Sequence, residues 1–348
     1  METTHAITRG DARALDGVAD ASVDLVVTSP PYPMIAMWDE VFTQLDPAVG
    51  AALAAGAGAA AFEAMHRQLD RVWAACWRVL KPGGILCVNI GDATRTIDGD
   101  FRLYANHARI LTAAERLGFS PLPDILWRKP TNAPNKFMGS GMYPPGAYVT
   151  YEHEYVLIFR RGSRRRFTRA GAVRRRESAY FWEERNVWFS DLWTGLTGAK
   201  QPLGGVDGAT RKRSAAFPLV LPWRLVQMFS IYGDTVLDPF LGTGTTCLAA
   251  AVAGRSSLGV ELDGGLEESI RATMGQAVAV GSGLSRRRLK DHRAFVAGRQ
   301  ADGKVIKHHN AAHDTPVVTR QEIALRLWAP EAITEVAPLR FEVACRPL

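Results

Sequence analysis

Cysteine is scarce in this chain, with four residues in 348, and Cys76, Cys87, Cys247 and Cys345 stand far apart. That spacing excludes a small disulfide-stapled scaffold and offers no paired-cysteine metal site. Reduced, buried thiols in a cytoplasmic protein without a metal are the expectation. Uncharged apolar runs are also short. No membrane span is expected, and Met1 to His5 carries no secretory leader pattern. Acidic residues are outnumbered, 35 against 42 Lys and Arg, giving a net charge of +7 and a pI near 9.4. A basic excess favours a polyanionic partner, nucleic acid before an anionic membrane surface. No internal repeat is visible. Apolar content is ample at 47%, enough for one large domain with insertions or for two domains.

Thr28-Ser29-Pro30-Pro31-Tyr32 organises the rest. It follows Val23-Asp24-Leu25-Val26-Val27, an apolar run that reads as a buried strand. Two prolines forbid further pairing and hold the backbone extended. Ser29 is thereby expected at the carboxyl edge of a strand, where open α/β sheets place ligands. The Ser29 hydroxyl and the prolyl carbonyls are acceptors, and Tyr32 adds a flat face. That combination suits a planar base with an exocyclic amino group.

Along the chain, Ile7 to Ala12 reads as a short strand and turn, with Asp11 either in a ligand crevice or capping a helix. Pro33 to Asp46 reads as an apolar lid or core flap, and Ala48 to Ala64 as a flexible loop leading into helix. From Phe62 the pattern is helical, ending at Lys81-Pro82-Gly83-Gly84. Ile85 to Ile90, Ile125 to Trp127 and Val156 to Phe159 read as strands, and His107 to Leu117 as a helix. Lys129 to Tyr148 reads as a long irregular loop.

Arginine then crowds the chain from Arg160, including Arg164, Arg165, Arg166, Arg174, Arg175 and Arg176, with Phe167, Tyr180, Phe181, Trp182, Trp188, Phe189 and Trp193 in or after it. A charge run alone is usually a solvated face. Guanidinium groups interleaved with aromatics point to nucleic-acid contact, and Arg211-Lys212-Arg213 extends the segment.

A second site follows. Phe217-Pro218 opens a helix. Thr235 to Asp238 is a strand, followed by Pro239-Phe240-Leu241-Gly242-Thr243-Gly244-Thr245-Thr246 and a helix from Cys247. Gly242 and Gly244 let backbone approach a ligand. Glu261 ends the next strand, where a carboxylate can take both ribose hydroxyls of an adenosine. Cys247 replaces the third glycine of a dinucleotide turn, and no P-loop lysine is present. An adenosine ligand without a pyrophosphate fits, S-adenosylmethionine among them. Alternating strands and helices give an α/β, doubly wound, mostly parallel sheet. Residues beyond Gly275 have no readable role.

Together these motifs resemble the amino-methylating DNA methyltransferases. Thr28 to Tyr32 is similar to their catalytic motif and Asp238 to Thr246 to their cofactor motif. Catalytic motif first and cofactor motif last resembles the permuted β group, over roughly Ile7 to Thr273. Lys81 to Gly84, His153-Glu154-Tyr155 and Phe217-Pro218 resemble further landmarks. The resemblance implies a seven-stranded Rossmann-like sheet with its last-but-one strand antiparallel. It also implies S-adenosyl-L-methionine against Asp238, Pro239, Phe240, Gly242, Gly244, Thr245, Phe217 and Pro218, with Glu261 on the ribose and Asp11 near the adenine. Ser29, Pro30, Pro31 and Tyr32 would be catalytic.

The implied organisation is a catalytic half at 1–159 and a target-recognition insertion at 160–213. A cofactor half at 214–275 and an extension at 276–348 follow. Serine at position 29 is commoner among the cytosine-N4 enzymes. Cytosine-C5 chemistry is disfavoured because no cysteine follows a proline. The expected reaction is methylation of a flipped cytosine's N4 in double-stranded DNA, by a cytoplasmic monomer or homodimer that a restriction endonuclease could accompany. Rivals are adenine-N6 methylation, methylation of RNA or a protein amide, and a non-catalytic DNA-binding protein on the same fold.

Overall fold

A computed structural model of the chain describes residues 1–129, 138–196 and 217–348. Its main sheet is built from β1 (Glu2–Arg9), β2 (Val23–Thr28), β3 (Leu80–Ile90), β4 (Phe119–Arg128), β5 (His153–Arg161), β6 (Leu192–Trp193), β7 (Thr235–Asp238), β8 (Ser256–Glu261), β9 (Trp328–Ala337) and β10 (Arg340–Pro347). Across the ten-stranded sheet the order is β6-β4-β5-β3-β2-β7-β8-β1-β10-β9. The strands β3, β2, β7, β8 and β1 are mutually parallel. Antiparallel β5 lies between β3 and β4.

All six residues of β2 are buried, the signature of a strand covered on both faces. Leu25 and Val27 enter one core cluster, which includes α3 (Val220–Phe229), α4 (Thr245–Val252) and α5 (Glu267–Met274). Val26 enters the other, with α1 (Gly58–Val79) and α2 (Asn106–Arg116). The sheet is therefore wound on both sides, as the strand-helix alternation indicates.

Several sequence expectations are corrected. The strands from β4 to β1 form the seven-stranded sheet that the resemblance implies, with β5 as its antiparallel member. The full sheet is larger, because β6 adds to one edge and β10 and β9 to the other. Ala48 to Ala64 is largely helical, in Pro47–Ala54 and α1. Asp46 caps the first of these by accepting from Ala48 N at 3.0 Å, a signal hidden by the alanine-glycine composition. The helix does end next to Lys81 to Gly84, at Val79, but without a glycine cap: Leu80 closes it and Leu80 to Gly84 already open β3. Gly83, at φ +83°, lets the Arg165 backbone pass where a Cβ would stand 2.5 Å from its nitrogen. β4 also starts earlier than Ile125. Its Pro121 and Pro123 are tolerated because β6 pairs only with Leu126 and Trp127.

Residues past Gly275 complete the fold. The long helix α6 (Ala277–Ala301) leads to β9 and β10, and β10 pairs antiparallel with β1 from Glu2 to Ala6. Phe341, Val343 and Cys345 sink into the core. The described part of 160–196 packs into the main body, with Leu192 and Trp193 pairing with β4. Phe181, Trp188 and Trp193 are buried.

Candidate active site

The C-terminal ends of the parallel strands lie on one edge of the sheet, so the residues that follow them meet there. β2 ends at Thr28, β7 at Asp238 and β8 at Glu261. A cavity of about 650 Å³ opens at this edge. Ser29, Pro30, Pro31 and Tyr32 line it from one segment, and Pro239, Phe240, Gly242 and Thr245 from the other. Asp11, Phe217, Asp238 and Glu261 also reach it. Two motifs more than half the chain apart thus share one chamber. Pro218 and Gly244 are not on its wall. Gly244 instead caps α4 in the left-handed region at φ +92°.

Glu261 holds the glycine turn open. Its Oε2 accepts from Gly242 N at 2.7 Å and its Oε1 from Asp263 N at 2.8 Å. Each carboxylate oxygen keeps a further lone pair for a ligand hydroxyl. Burial pushes this carboxyl above the usual range. A Cβ on Gly242 would meet nothing within 4 Å, and that residue faces the cavity at φ +58°. An adenosine-sized molecule fits this cradle, and the turn carries no lysine for a pyrophosphate.

Asp238 reaches the cavity and is also engaged within the protein. Its two carboxylate oxygens accept from Thr28 Oγ1 and Thr246 Oγ1, each at 2.6 Å, and from Phe240 N at 3.0 Å. The carboxylate is a clamp that fixes the end of β2 to the glycine turn. Burial raises its pKa to about 6. Asp11 is similarly engaged: it accepts from Arg13 N and pairs with the Arg13 guanidinium at 2.6 Å. That hydrogen-bonded pair holds the Asp11 carboxyl below its ordinary value.

On the Ser29 side, three residues join that the sequence reading did not single out as site residues. Tyr32 Oη donates to Glu154 Oε2 at 2.9 Å, and Ser29 Oγ donates to Tyr32 Oη at 3.2 Å. Asn89 Nδ2 donates to both Tyr32 Oη, at 2.9 Å, and Glu154 Oε2, at 2.8 Å. Lys129 Nζ donates to Glu154 Oε1 at 2.7 Å. Gly91 admits the Tyr32 ring, since a Cβ there would stand 3.0 Å from it. Burial, then the Glu154 charge, lifts the Tyr32 phenol well above its ordinary value, so it stays protonated. The lone signal for Glu154 was its place in His153-Glu154-Tyr155. Met37, Trp38 and Phe42, from the apolar segment after the turn, complete the wall.

The arginines fall elsewhere. Arg165 pairs with Asp234 at 2.6 Å and lies 3.4 Å from Asp24. Those acids stand at the N-terminal ends of β7 and β2, the edge opposite the cavity. A six-residue strand separates the edges by roughly 17 Å. Arg164, Arg166, Arg174, Arg175 and Arg176 are exposed on that far side, where the Arg174 guanidinium lies beside Gly233. Of the aromatics that made this segment suggestive, Phe181, Trp188 and Trp193 are buried, Phe167, Tyr180 and Trp182 are half-buried, and Phe189 is exposed. Arg211, Lys212 and Arg213 lie outside the described residues.

Comparison with known proteins agrees with this geometry. Residues 23–271 match the N6_N4_Mtase family model, described as DNA methylase. The Type II methyltransferase M.MthZI of Methanothermobacter thermautotrophicus is 46% identical over 344 residues, covering 98% of this chain and 95% of that protein. The Type II methyltransferase M.MjaI of Methanocaldococcus jannaschii is 48% identical over 286 residues, covering 79% of this chain and 92% of the relative. Among solved structures, the candidate DNA modification methylase TTHA0409 of Thermus thermophilus, complexed with S-adenosyl-L-methionine, is 35% identical. It aligns with a TM-score of 0.60 over 79% of this chain and 96% of its own.

Proposed function

The chain belongs to the N6/N4 DNA methylase family, and from that membership we propose that it methylates the N4 amino group of a cytosine in double-stranded DNA, using S-adenosyl-L-methionine. The observation that carries the reading is the shared cavity, in which the Ser29 turn faces the glycine turn that Glu261 holds.

When bound, S-adenosyl-L-methionine supplies an electrophilic methyl group. The protein's own residues do the rest. Gly242 and Glu261 receive the adenosine part, with Phe240 as an apolar wall. The target base leaves the duplex at a cost of about a few kcal/mol and enters beside Tyr32. Ser29 Oγ and the Pro30 carbonyl accept the two amino hydrogens. An amino lone pair conjugated with the ring is a poor nucleophile, and this grip favours a more tetrahedral nitrogen. Positioning then contributes much of the acceleration.

Serine at the head of the turn supports cytosine over adenine, and the motif order supports the permuted β group. Arg211, Lys212 and Arg213 are proposed DNA contacts. The arginines of the far edge are not proposed to grip the same stretch of DNA. Digestion of methylated DNA to nucleosides, with mass spectrometry of the product, tests the assignment. N4-methylcytosine is expected. N6-methyladenine would transfer the same machinery to adenine, and failure to bind the cofactor would support a non-catalytic DNA-binding protein.

A further inference from the structure

The two links from Ser29 to Tyr32 to Glu154 point the same way. Ser29 Oγ is the donor in the first, Tyr32 Oη in the second, and the Glu154 carboxylate can only accept. Asn89 narrows the alternatives. Its amide nitrogen donates toward both Tyr32 Oη and Glu154 Oε2, two oxygens that are themselves 2.9 Å apart. The opposite amide orientation would set its oxygen against a carboxylate, so the amino side is forced inward. Tyr32 Oη therefore accepts twice and must give its own hydrogen to Glu154. Lys129 anchors the second carboxylate oxygen at 2.7 Å.

A consequence follows for Ser29. A hydroxyl can face a substrate amine with its hydrogen or with its lone pairs. With its hydrogen committed to Tyr32, Ser29 faces the cavity with lone pairs alone. We infer that Ser29, Tyr32 and Glu154 form a directed proton relay, with Glu154 as the positioning residue that fixes Ser29 as an acceptor and receives the proton lost by the target amine. This inference rests on the amino-methylation reading.

The balance closes without any further reactant. The amine nitrogen forms a bond to carbon as the carbon–sulfur bond breaks, and the bonding pair leaves with sulfur as a neutral thioether. One N–H hydrogen must then depart as a proton, its electrons staying on nitrogen. Ser29 Oγ takes that proton and passes its own to Tyr32 Oη. Tyr32 passes its own to Glu154, which becomes a neutral acid and later returns the proton to solvent. The Ser29 and Tyr32 oxygens are neutral before and after the transfer, and the only lasting change is neutralisation of the Glu154 carboxylate. The Ser29 to Tyr32 link is the long one, and catalytic hydrogen bonds commonly tighten only in the substrate complex.

The relay predicts effects that packing alone does not. Charged or titratable groups facing Glu154 are Tyr32, from the turn after β2, and Lys129, beyond β4. Asn89, from β3, is uncharged, and on β5 itself His153 turns its ring to Tyr151 and Tyr155. Glu154→Gln keeps the size and removes the proton acceptor. Tyr32→Phe keeps the stacking face and removes the link.

Steady-state methylation of duplex DNA is measured for the wild type, both variants and Glu154→Asp, with cofactor affinity by calorimetry. Turnover of Glu154→Gln and Tyr32→Phe should fall on the order of 10²-fold, while KM for DNA and cofactor Kd stay within about threefold. Glu154→Asp, which keeps a carboxylate acceptor, should retain clearly more turnover than Glu154→Gln. Near-wild-type turnover in Tyr32→Phe, or equal turnover in Glu154→Gln and Glu154→Asp, would overturn the relay. A wild-type enzyme that methylates no amino group would instead refute the functional reading.

Discussion

At the residue scale, Ser29 matters as an oxygen with free lone pairs. Ser29→Ala should lower turnover on the order of 10²-fold, with cofactor affinity nearly unchanged; parallel loss of both in a titration would indicate misfolding instead. A second residue-scale effect concerns stability. His5 is buried between Thr3 Oγ1 and Ser257 Oγ, and burial lowers its pKa to about 3. The unfolded chain takes up a proton near pH 6.5 that the folded protein refuses. The stability due to neutral His5 is complete above pH 6.5 and drains away as pH falls toward 3, at roughly 1.4 kcal/mol per pH unit. Urea unfolding of His5→Gln at pH 7 and pH 5 should show a shallower pH dependence than the wild type. Identical slopes would contradict this account.

Element by element, the site is two strand-turn units held together by the Asp238 clamp. The glycine turn serves the ligand more than the fold. Alanine at Gly242 meets no protein atom within 4 Å, so its strain is limited to a left-handed backbone, about 1–2 kcal/mol. Its methyl group points into the space a ligand needs. Gly242→Ala should melt only a few degrees lower, roughly as that energy implies, yet bind the cofactor about tenfold or more weaker. Thermal melts paired with calorimetry decide between this and a purely structural role, for which affinity would hold.

Across the whole molecule, the sheet edges carry distinct duties. Arg165 is half-buried structure: it neutralises Asp234 and Asp24 where β7 and β2 begin. Arg165→Ala should destabilise by about 1–3 kcal/mol, since it strands the buried Asp234 carboxylate, whereas Asp24 keeps Lys81 at 2.7 Å. Arg174→Ala, Arg175→Ala and Arg176→Ala should leave KM for DNA and its salt dependence close to wild type; a salt slope reduced by these changes would place DNA on the far edge after all. The last strands are equally structural. Deleting residues 328–348 uncovers β1 and removes Phe341, Val343 and Cys345 from the core. The fragment should aggregate or fail to fold, as circular dichroism and size exclusion would report. A monomer with wild-type melting and cofactor affinity would refute that view.

Local chemistry made half of the site legible. The prolines after β2 and the glycines after β7 act on their own backbone neighbours, so Ser29, Tyr32, Gly242 and Glu261 could be named from spacing, and the strand-helix alternation gave the winding. For the arginine-aromatic segment, composition records neither edge nor burial: Trp188 and Trp193 pack inside, and Arg165 meets Asp24 of β2 and Asp234 just before β7. The Ala48 to Ala64 helices were missed because alanine and glycine carry little periodic signal. Sequence alone determined which turns exist and in what order, because a turn is encoded by adjacent residues. Only the tertiary structure decided that Glu154 and Asn89 meet Tyr32 across 122 and 57 residues of chain. Sheet order and side-chain direction set that meeting, and no local pattern encodes either.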